Sequence, residues 1–358
     1  MQNGDTVSFA FCLPTFAFPG TGLFRVPAWD RLDPGLLLDA AVAADSGGFD
    51  AIWVADHYMI GQGDAVLDGW TTLAAVAGAT RKARLSLIQG SMLFRHPAQF
   101  AKMIATLDQL SGGRVTVFSS MGRAMREHVA YGFDWFEAEA DRFERFVEAH
   151  EILRRLWTED GAISHRGRFF HLDQAIAAPK PLQVNLPLWF AGTEDAMLDL
   201  AARLGAGWNT PLMSLADVRS IRTRLARHCR NAGRRIEDVT VSLETQILVR
   251  DTIAQLREAL RSMCHGPMAP RLNIAEDLVA FLSGTTDAVP QSLTETSLIG
   301  TPRMVIEQMI AYRNAGVNDF GLWFLDFPER TGMHLFLSQI AASVQQNAAT
   351  VRNANDKS

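Results

Sequence analysis

Cysteine and tyrosine are scarce in this chain, three of each among 358 residues. Cys12, Cys229 and Cys264 stand far apart and form no CxxC pair. That spacing excludes a disulfide scaffold and predicts free thiols in a reducing, cytoplasmic compartment. His57, His96 and His128 are isolated and nothing reads HExxH, so no metal site is expected. A basic excess is missing too: the formal net charge is -5, which gives no reason to expect a nucleic-acid partner. No apolar run approaches the roughly 20 residues needed to span a bilayer, so no membrane association is expected. Met1 to Asp5 lacks the basic-then-apolar layout of a signal peptide.

With 48% hydrophobic and 20% charged residues, the chain has the material for a sizeable core. Arginines do gather between Arg219 and Arg235, but Val218, Ile221 and Leu225 define the opposite side of a helix over 216–231. A solvated helix face is the simpler reading of that cluster, and a binding patch the alternative.

Apolar, β-branched runs predict eight strands: Val7–Cys12, Phe49–Val54, Leu85–Gln89, Val115–Ser119, Leu188–Ala191, Ala206–Asn209, Val239–Val249 and Asp319–Leu325. Helical periodicity follows each. Asp33-Pro34 supplies an N-cap and a first-turn proline, and Gly47-Gly48 ends that helix. A long helix over 137–157 carries Phe143, Phe146, Val147, His150, Leu153 and Leu156 at 3.6-residue spacing. Strands alternating with helices imply a parallel sheet. Eight units favour an α/β fold closed as a (β/α)8 TIM barrel over an open doubly wound sheet, and no GxGxxG follows the first strand. One domain is expected over 1–346, with a polar tail over 347–358. Two insertions stand out. Ala162–Leu172 reads as a β-hairpin before the fifth barrel strand. The glycine- and proline-rich stretch 264–298 reads either as a long loop over the barrel mouth or as a disordered insertion.

In such a barrel the residues just past each strand face the ligand. Here they include Thr15, Phe16, Asp56, His57, Gln89, Gly90, Ser91, Ser119, Gly192, Thr193, Glu194, Asn209, Thr210 and Asp326. Phe16, Trp53, Phe118, Trp189, Trp208 and Trp323 would back them, a mouth suited to a flat aromatic ligand. Paired carboxylates, a Ser-His-Asp order and a metal cluster are all missing, so a cofactor is expected to carry the hard chemistry. Gly192-Thr193 precedes a helix, where exposed N–H groups would favour a phosphate; a plain N-cap by Thr193 is the alternative. His57 is a candidate proton donor, or a structural histidine.

These residues resemble the luciferase-like flavin-dependent oxidoreductases, a family of monooxygenases and of reductases that use the deazaflavin F420. The resemblance rests on Gly48 to His57 (GFDAIWVADH) and on Arg95 to Arg114 (RHPAQFAKMIATLDQLSGGR). It continues through Glu127 with Tyr131-Gly132, Arg142 ahead of the long helix, Gly167 to Phe170, Pro179 to Pro181, Ala191 to Thr193, and Gly207-Trp208. It implies that Asp56 and His57 border a flavin-type ring, with His57 catalytic. Gln89, Gly90 and Ser91 would pass along the ring face, where relatives often have a non-prolyl cis bond. Ser119 would line the ring pocket, and Glu127 and Arg142 would lie near the ribityl chain and phosphate. Gly192 and Thr193 would hold the phosphate, with Glu194 beside it. It further implies a homodimer.

The sequence also departs from the family pattern. After the fourth strand it reads Phe118 to Arg123 (FSSMGR) instead of a turn ending Gly-Trp. Arg123 stands where some F420 sugar-phosphate reductases place a catalytic glutamate, which counts against that chemistry. Glu194 puts a negative charge by the phosphate position, and Phe143 stands where some relatives use tyrosine. The resemblance leads to three expectations. The first is a monooxygenase that takes reduced FMN from a separate flavin reductase and uses O2 on a small organic substrate. The second is hydride transfer with F420, and the third a barrel that binds a flavin without turnover.

Overall fold

A computed structural model describes residues 6–17, 31–88, 90–122, 124–264 and 275–346. The strands are β1 (Ser8–Leu13), β2 (Ala51–Ala55), β3 (Arg84–Ile88), β4 (Val115–Ser119), β5 (Ile163–Arg166), β6 (His171–Ala175), β7 (Leu188–Ala191), β8 (Gly207–Pro211), β9 (Thr240–Val249), β10 (Leu298–Gly300) and β11 (Asp319–Phe324). Pairing runs β1-β2-β3-β4-β7-β8-β9-β11 and returns to β1, all parallel, so the eight expected strands close a barrel. Following the registers once round returns to β1 eight residues from the start, the stagger of a TIM barrel.

The helices are α1 (Pro34–Gly47), α2 (Gly69–Ala79), α3 (Pro97–Ser111), α4 (Met125–Ala130), α5 (Glu139–Thr158), α6 (Asp195–Leu204), α7 (Leu215–Asn231), α8 (Ile253–Cys264), α9 (Glu276–Ser283), α10 (Gln291–Thr294), α11 (Pro302–Asn314) and α12 (Thr331–Leu335). Helix α1 starts as read: the Asp33 carboxylate accepts from the Gly35 and Leu36 amides at 3.0 and 3.3 Å, and Pro34 opens the first turn. The arginine-rich α7 buries Val218, Ile221 and Leu225 and ties three of its outward side chains, Arg224, Arg227 and His228, to Asp195.

Strand alternation sorts the core into two shells. Outward residues such as Phe9, Phe11, Ile52, Val54, Leu85, Val117 and Leu322 pack under the helices. Inward residues Ala10, Cys12, Trp53, Ile88, Phe118, Trp189 and Trp323 fill the barrel. The Trp53 and Phe118 rings lie 4.8 Å apart and those of Phe118 and Trp189 4.7 Å. Glycines opposite them make the room: a Cβ on Gly321 would sit 2.0 Å from the Trp53 ring, and one on Gly207 2.5 Å from Trp189. Beneath this plug is a buried polar layer. Arg84 donates to Ser8 at 2.6 Å and faces Asp319 at 3.5 Å, while Ser242 donates to Asp319 at 3.1 Å. Burial outweighs those partners and pushes the Asp319 carboxyl up to about 6.

Both insertions carry defined elements among the described residues. Strands β5 and β6 make the expected hairpin. Glu148 of α5 anchors it by accepting from His165 at 3.1 Å and from the Phe169 and Phe170 amides at 3.1 and 2.9 Å. The stretch over 264–298, read as a loop over the mouth or a disordered insertion, carries two helices in its described part, 275–298. There α9 and α10 bury Leu278, Phe281 and Leu293 against Leu256 and Leu260 of α8, Leu248 and Ile299, a small core of its own. Leu278 and Phe281 are spaced for one helix face, a signal masked by the glycines and prolines around it. The tail 347–358 lies outside the described residues.

Candidate active site

The mouth is built by the segments that leave β1, β2, β3, β4, β7, β8 and β9. The registers place Cys12, Ile88, Ala191 and Glu244 at one level inside the barrel. Ala55, Ser120, Pro211 and Trp323 come next, and Pro14, Gly90, Thr193 and Gln246 form the rim. Large rings thus plug the middle, and small residues open the top.

At the end of β2, consecutive residues turn to different partners. Asp56 is buried and makes a bidentate pair with buried Arg95, at 2.6 and 2.8 Å, and also accepts from the Ser91 amide at 3.2 Å. Both carboxylate oxygens are committed, so Asp56 braces the wall beneath the mouth. His57 points to α4, where its Nδ1 lies 2.9 Å from Glu127 Oε1, and its side chain is 25% exposed. Glu127 Oε2 accepts the Tyr58 and Met59 amides at 2.8 and 3.3 Å. Burial alone would raise the Glu127 carboxyl, but the His57 hydrogen bond and charge, with the two amides, more than reverse this and hold it low. An ionised carboxylate only accepts, so His57 carries a proton on Nδ1.

The next residue of α4 holds the β3 end. His128 Nδ1 donates to the Ala124 carbonyl at 2.7 Å, and its Nε2, 2.8 Å away, accepts from the Ser91 hydroxyl. Burial lowers the His128 pKa, in keeping with this neutral ring. Gly90 crosses close over β4, where a Cβ would meet the Phe118 carbonyl at 2.9 Å. The cis bonds among the described residues precede Pro179 and Pro328, and the Gly90–Ser91 bond is trans. Gln89 and Arg123 lie outside the described residues.

The other expected residues fall in several places. Ser119 is fully buried on the face shared with Val115 and Val117, and its hydroxyl has no partner among the described residues. Thr15 Oγ1, Asn209 Oδ1 and Thr210 Oγ1 are likewise buried and unpartnered there. Arg142 donates to the Phe136 and Glu137 carbonyls at 2.5 and 3.0 Å and stacks over Trp135, 4.8 Å from its centroid. Glu194 folds back so that its carboxylate accepts the Thr193 amide at 2.9 Å. The Gly192 carbonyl accepts from Trp208 at 2.7 Å. Trp208 therefore belongs to the outer core and is not a ring of the mouth, because strand alternation faces it away. Phe16 and Trp323, 6.0 Å apart, do reach the mouth.

Sequence reasoning missed Arg95, His128, Glu244 and Gln246 as parts of this site. Arg95 lay inside a quoted motif but beyond any strand end, and the other three needed α4 or the β9 register. It also missed the aromatic wall beside His57, where Tyr58 stacks on Tyr131 at 4.8 Å and meets Phe94 edge-on at 4.7 Å. A cleft of about 390 Å3 opens next to that wall, lined by Phe94, Phe133, Phe136, Arg145 and Phe170. Cys12 is no nucleophile: burial, with Glu244 and Asp319 nearby, raises its thiol well above the ordinary range. Among the described residues no three His, Cys, Asp or Glu side chains cluster to hold a metal, and no helix is long and apolar enough to cross a membrane.

The chain, a barrel with a histidine–glutamate pair at its mouth, matches a sequence profile described as luciferase-like monooxygenase over residues 11–319. The chain belongs to the luciferase-like monooxygenase family. Members are flavin- or F420-dependent monooxygenases and oxidoreductases. The chain is 26% identical over 380 residues to the FMNH2-dependent dimethylsulfone monooxygenase of Pseudomonas fluorescens (strain Pf0-1), covering 99% of this chain and 98% of that protein. It is 30% identical over 182 residues to the F420-dependent glucose-6-phosphate dehydrogenase of Amycolatopsis mediterranei (strain U-32), where the match covers 50% of this chain and about half, 54%, of that relative's length. The fold superposes on an F420-dependent secondary alcohol dehydrogenase in complex with an F420-acetone adduct with a TM-score of 0.74, at 23% identity over 95% of this chain and 99% of that one.

Proposed function

We propose that this luciferase-like protein is the oxygenase component of a two-component system, using reduced FMN from a separate reductase, and O2, to oxygenate a small organic substrate. The observation that carries the FMN reading is the end-to-end similarity to an FMNH2-dependent sulfone monooxygenase, 99% of this chain against 98% of that protein. The residues present fit a flat, hydrogen-bonding cofactor. The inner face is small at Ala55, Ala191 and Gly90, and the hydroxyl of Thr15, just past β1, is buried without a partner among the described residues. Leaving it unsatisfied costs about 1–3 kcal/mol, which a bound ring would offset.

Reduced FMN, when bound, supplies the electrons and the ring on which O2 is activated. His57 accepts or returns a proton at Nε2, while Glu127 fixes the ring orientation and the proton on Nδ1. The Asp56–Arg95 pair and the Ser91–His128 bond hold the two strand ends that flank the ring. Gly90 and Ser91 border it, as Gln89 does in this reading, and Arg142 attends the ribityl and phosphate end. Gly192 and Thr193 serve the phosphate once the Glu194 carboxylate leaves the Thr193 amide.

A second reading, hydride transfer with F420, draws on the 30% identity to the F420-dependent dehydrogenase. Titration of the purified protein with FMNH2 and with reduced F420 separates the two. Tight binding of FMNH2 with substrate-linked O2 uptake supports the oxygenase. Binding of F420 with reduction or oxidation of an alcohol or imine reverses the order, and binding of neither removes both enzyme readings.

A further inference from the structure

We infer that Gln246 and Glu244, on the inner face of β9, form the recognition wall for an amide-type group, –C(=O)–NH–, on the substrate. The inference rests on the mouth being the substrate pocket, as proposed above. Strand alternation and the pairing of β9 with β11 set the wall. Glu244 lies opposite Gly321 and Gln246 opposite Trp323, so both side chains face the barrel interior. The Trp53 ring occupies the space over Gly321 and floors the wall. On the other flank Glu244 pairs with Pro211. The Trp323 indole N–H donates to Glu244 Oε1 at 2.8 Å, which fixes the carboxylate. Glu244 keeps 8% exposure, and Gln246 is 1% exposed at the rim level shared with Gly90 and Thr193.

Gln246 is the decisive residue. Both ends of its carboxamide, Nε2 and Oε1, are buried with no partner among the described residues. A buried donor and acceptor left together unpaired are costly, and a primary or secondary amide satisfies both at once by a reciprocal pair of hydrogen bonds. Glu244, held by the Trp323 indole, sets the polarity of the wall beside it. Phe16 and Trp323 flank this wall, which suits an amide borne on a flat ring. A site that presents hydrogen-bonding groups in this way rejects an isostere lacking the N–H far more strongly than an apolar pocket would.

Calorimetric titration of the full chain with benzamide and with acetophenone, which carries a methyl in place of the amide nitrogen, tests the wall without any cofactor. Wild type is expected to bind benzamide at least ~10-fold more tightly. In Gln246→Leu, a substitution of similar volume, the gap should shrink to less than ~2-fold, with FMN affinity within ~2-fold of wild type; Glu244→Gln should narrow the gap in part. Equal binding of the two probes by wild type, or a gap that survives in Gln246→Leu, overturns the inference. Loss of FMN affinity in parallel with benzamide also overturns it, since the wall would then belong to the cofactor. Failure of wild type to bind FMNH2 or reduced F420 would strike the cofactor reading, and the probe comparison would still be read independently.

Discussion

Replacing Glu127 by Gln keeps the side chain's shape, removes its charge and leaves three N–H donors competing for one acceptor. Those donors are His57 Nδ1 at 2.9 Å and the Tyr58 and Met59 amides at 2.8 and 3.3 Å. A carboxamide has one accepting end. If its oxygen stays on the two amides, its NH2 faces His57, and the ring proton must move from Nδ1 to Nε2. If it turns round, its NH2 confronts two backbone donors. With Glu127 only 3% exposed at the side chain, water offers little relief. A charge-assisted hydrogen bond contributes about 1.5–3 kcal/mol against about 1 for a neutral one, so the variant should lose about 1–3 kcal/mol of stability. Turnover should fall ~100- to 10,000-fold, the range expected when a general base is held in the wrong tautomer. Nitrogen-15 NMR of histidine-labelled protein, with His57 assigned by its absence in His57→Gln, reads the tautomer directly. Because the folded Glu127 carboxyl lies below its ordinary value of 4.5, its contribution is present above that pH and is lost as pH falls through the lower folded value. That part of the acid limb should disappear in Glu127→Gln. A variant whose His57 proton stays on Nδ1, with unfolding free energy within about 0.5 kcal/mol of wild type, would refute the reasoning.

Three other substitutions probe the brace, the buried polar layer and the phosphate end. Asp56→Asn strands the buried Arg95 guanidinium and should cost about 3–5 kcal/mol in urea unfolding, with the m-value unchanged. Asp319 titrates near 3.8 when unfolded and at about 6 in the fold, so the native state holds the extra proton and stability declines as pH rises from 4 to 6; Asp319→Asn should flatten a decline of up to about 3 kcal/mol, measured by denaturation across that window. Glu194→Gln removes an anion from the start of α6 and weakens its hold on the Thr193 amide. It should raise affinity for FMN ~10-fold while leaving riboflavin, which lacks the phosphate, unchanged in parallel titrations.

The barrel was legible because its signals are local. Caps such as Asp33-Pro34 and continuous apolar runs placed eight strands, and the pattern of a parallel sheet buried on both faces did the rest. What escaped depends on direction or on distant partners. Trp208 looks like a mouth residue by position, yet it sits one residue out of phase with inward Asn209. Asp56 and His57 are neighbours in sequence, and only the fold separates a brace for Arg95 from a partner of Glu127. Gln246 follows Ser242 and Glu244 in a polar alternation along β9, and its unpaired amide becomes visible only when β11 fixes which face is inner. The stretch after α8 hid its helices because Gly284 and Pro290 are stronger local signals than two turns of amphipathic spacing.

Helix α4 gives the clearest case of a short element with a large reach. Successive helical residues point about 100° apart, so three neighbours on six residues can address three segments. Arg126 pairs with Asp64 at 2.5 and 2.8 Å, Glu127 holds His57, Tyr58 and Met59, and His128 holds Ser91. These ties differ in depth. The Arg126–Asp64 pair is exposed, and such pairs contribute little once solvent and salt screen them. The bonds of Glu127 and His128 are buried, where an unmade hydrogen bond is costly. Of these ties the one to the loop around Asp64 is therefore the weakest, and that loop is held instead by the segment after β1, where the Ala17 and Thr15 carbonyls accept from the Gln62 and Leu67 amides at 2.6 and 3.0 Å. Helix α4 thus commits its buried bonds to the two strand ends, fixing His57 and Ser91 together.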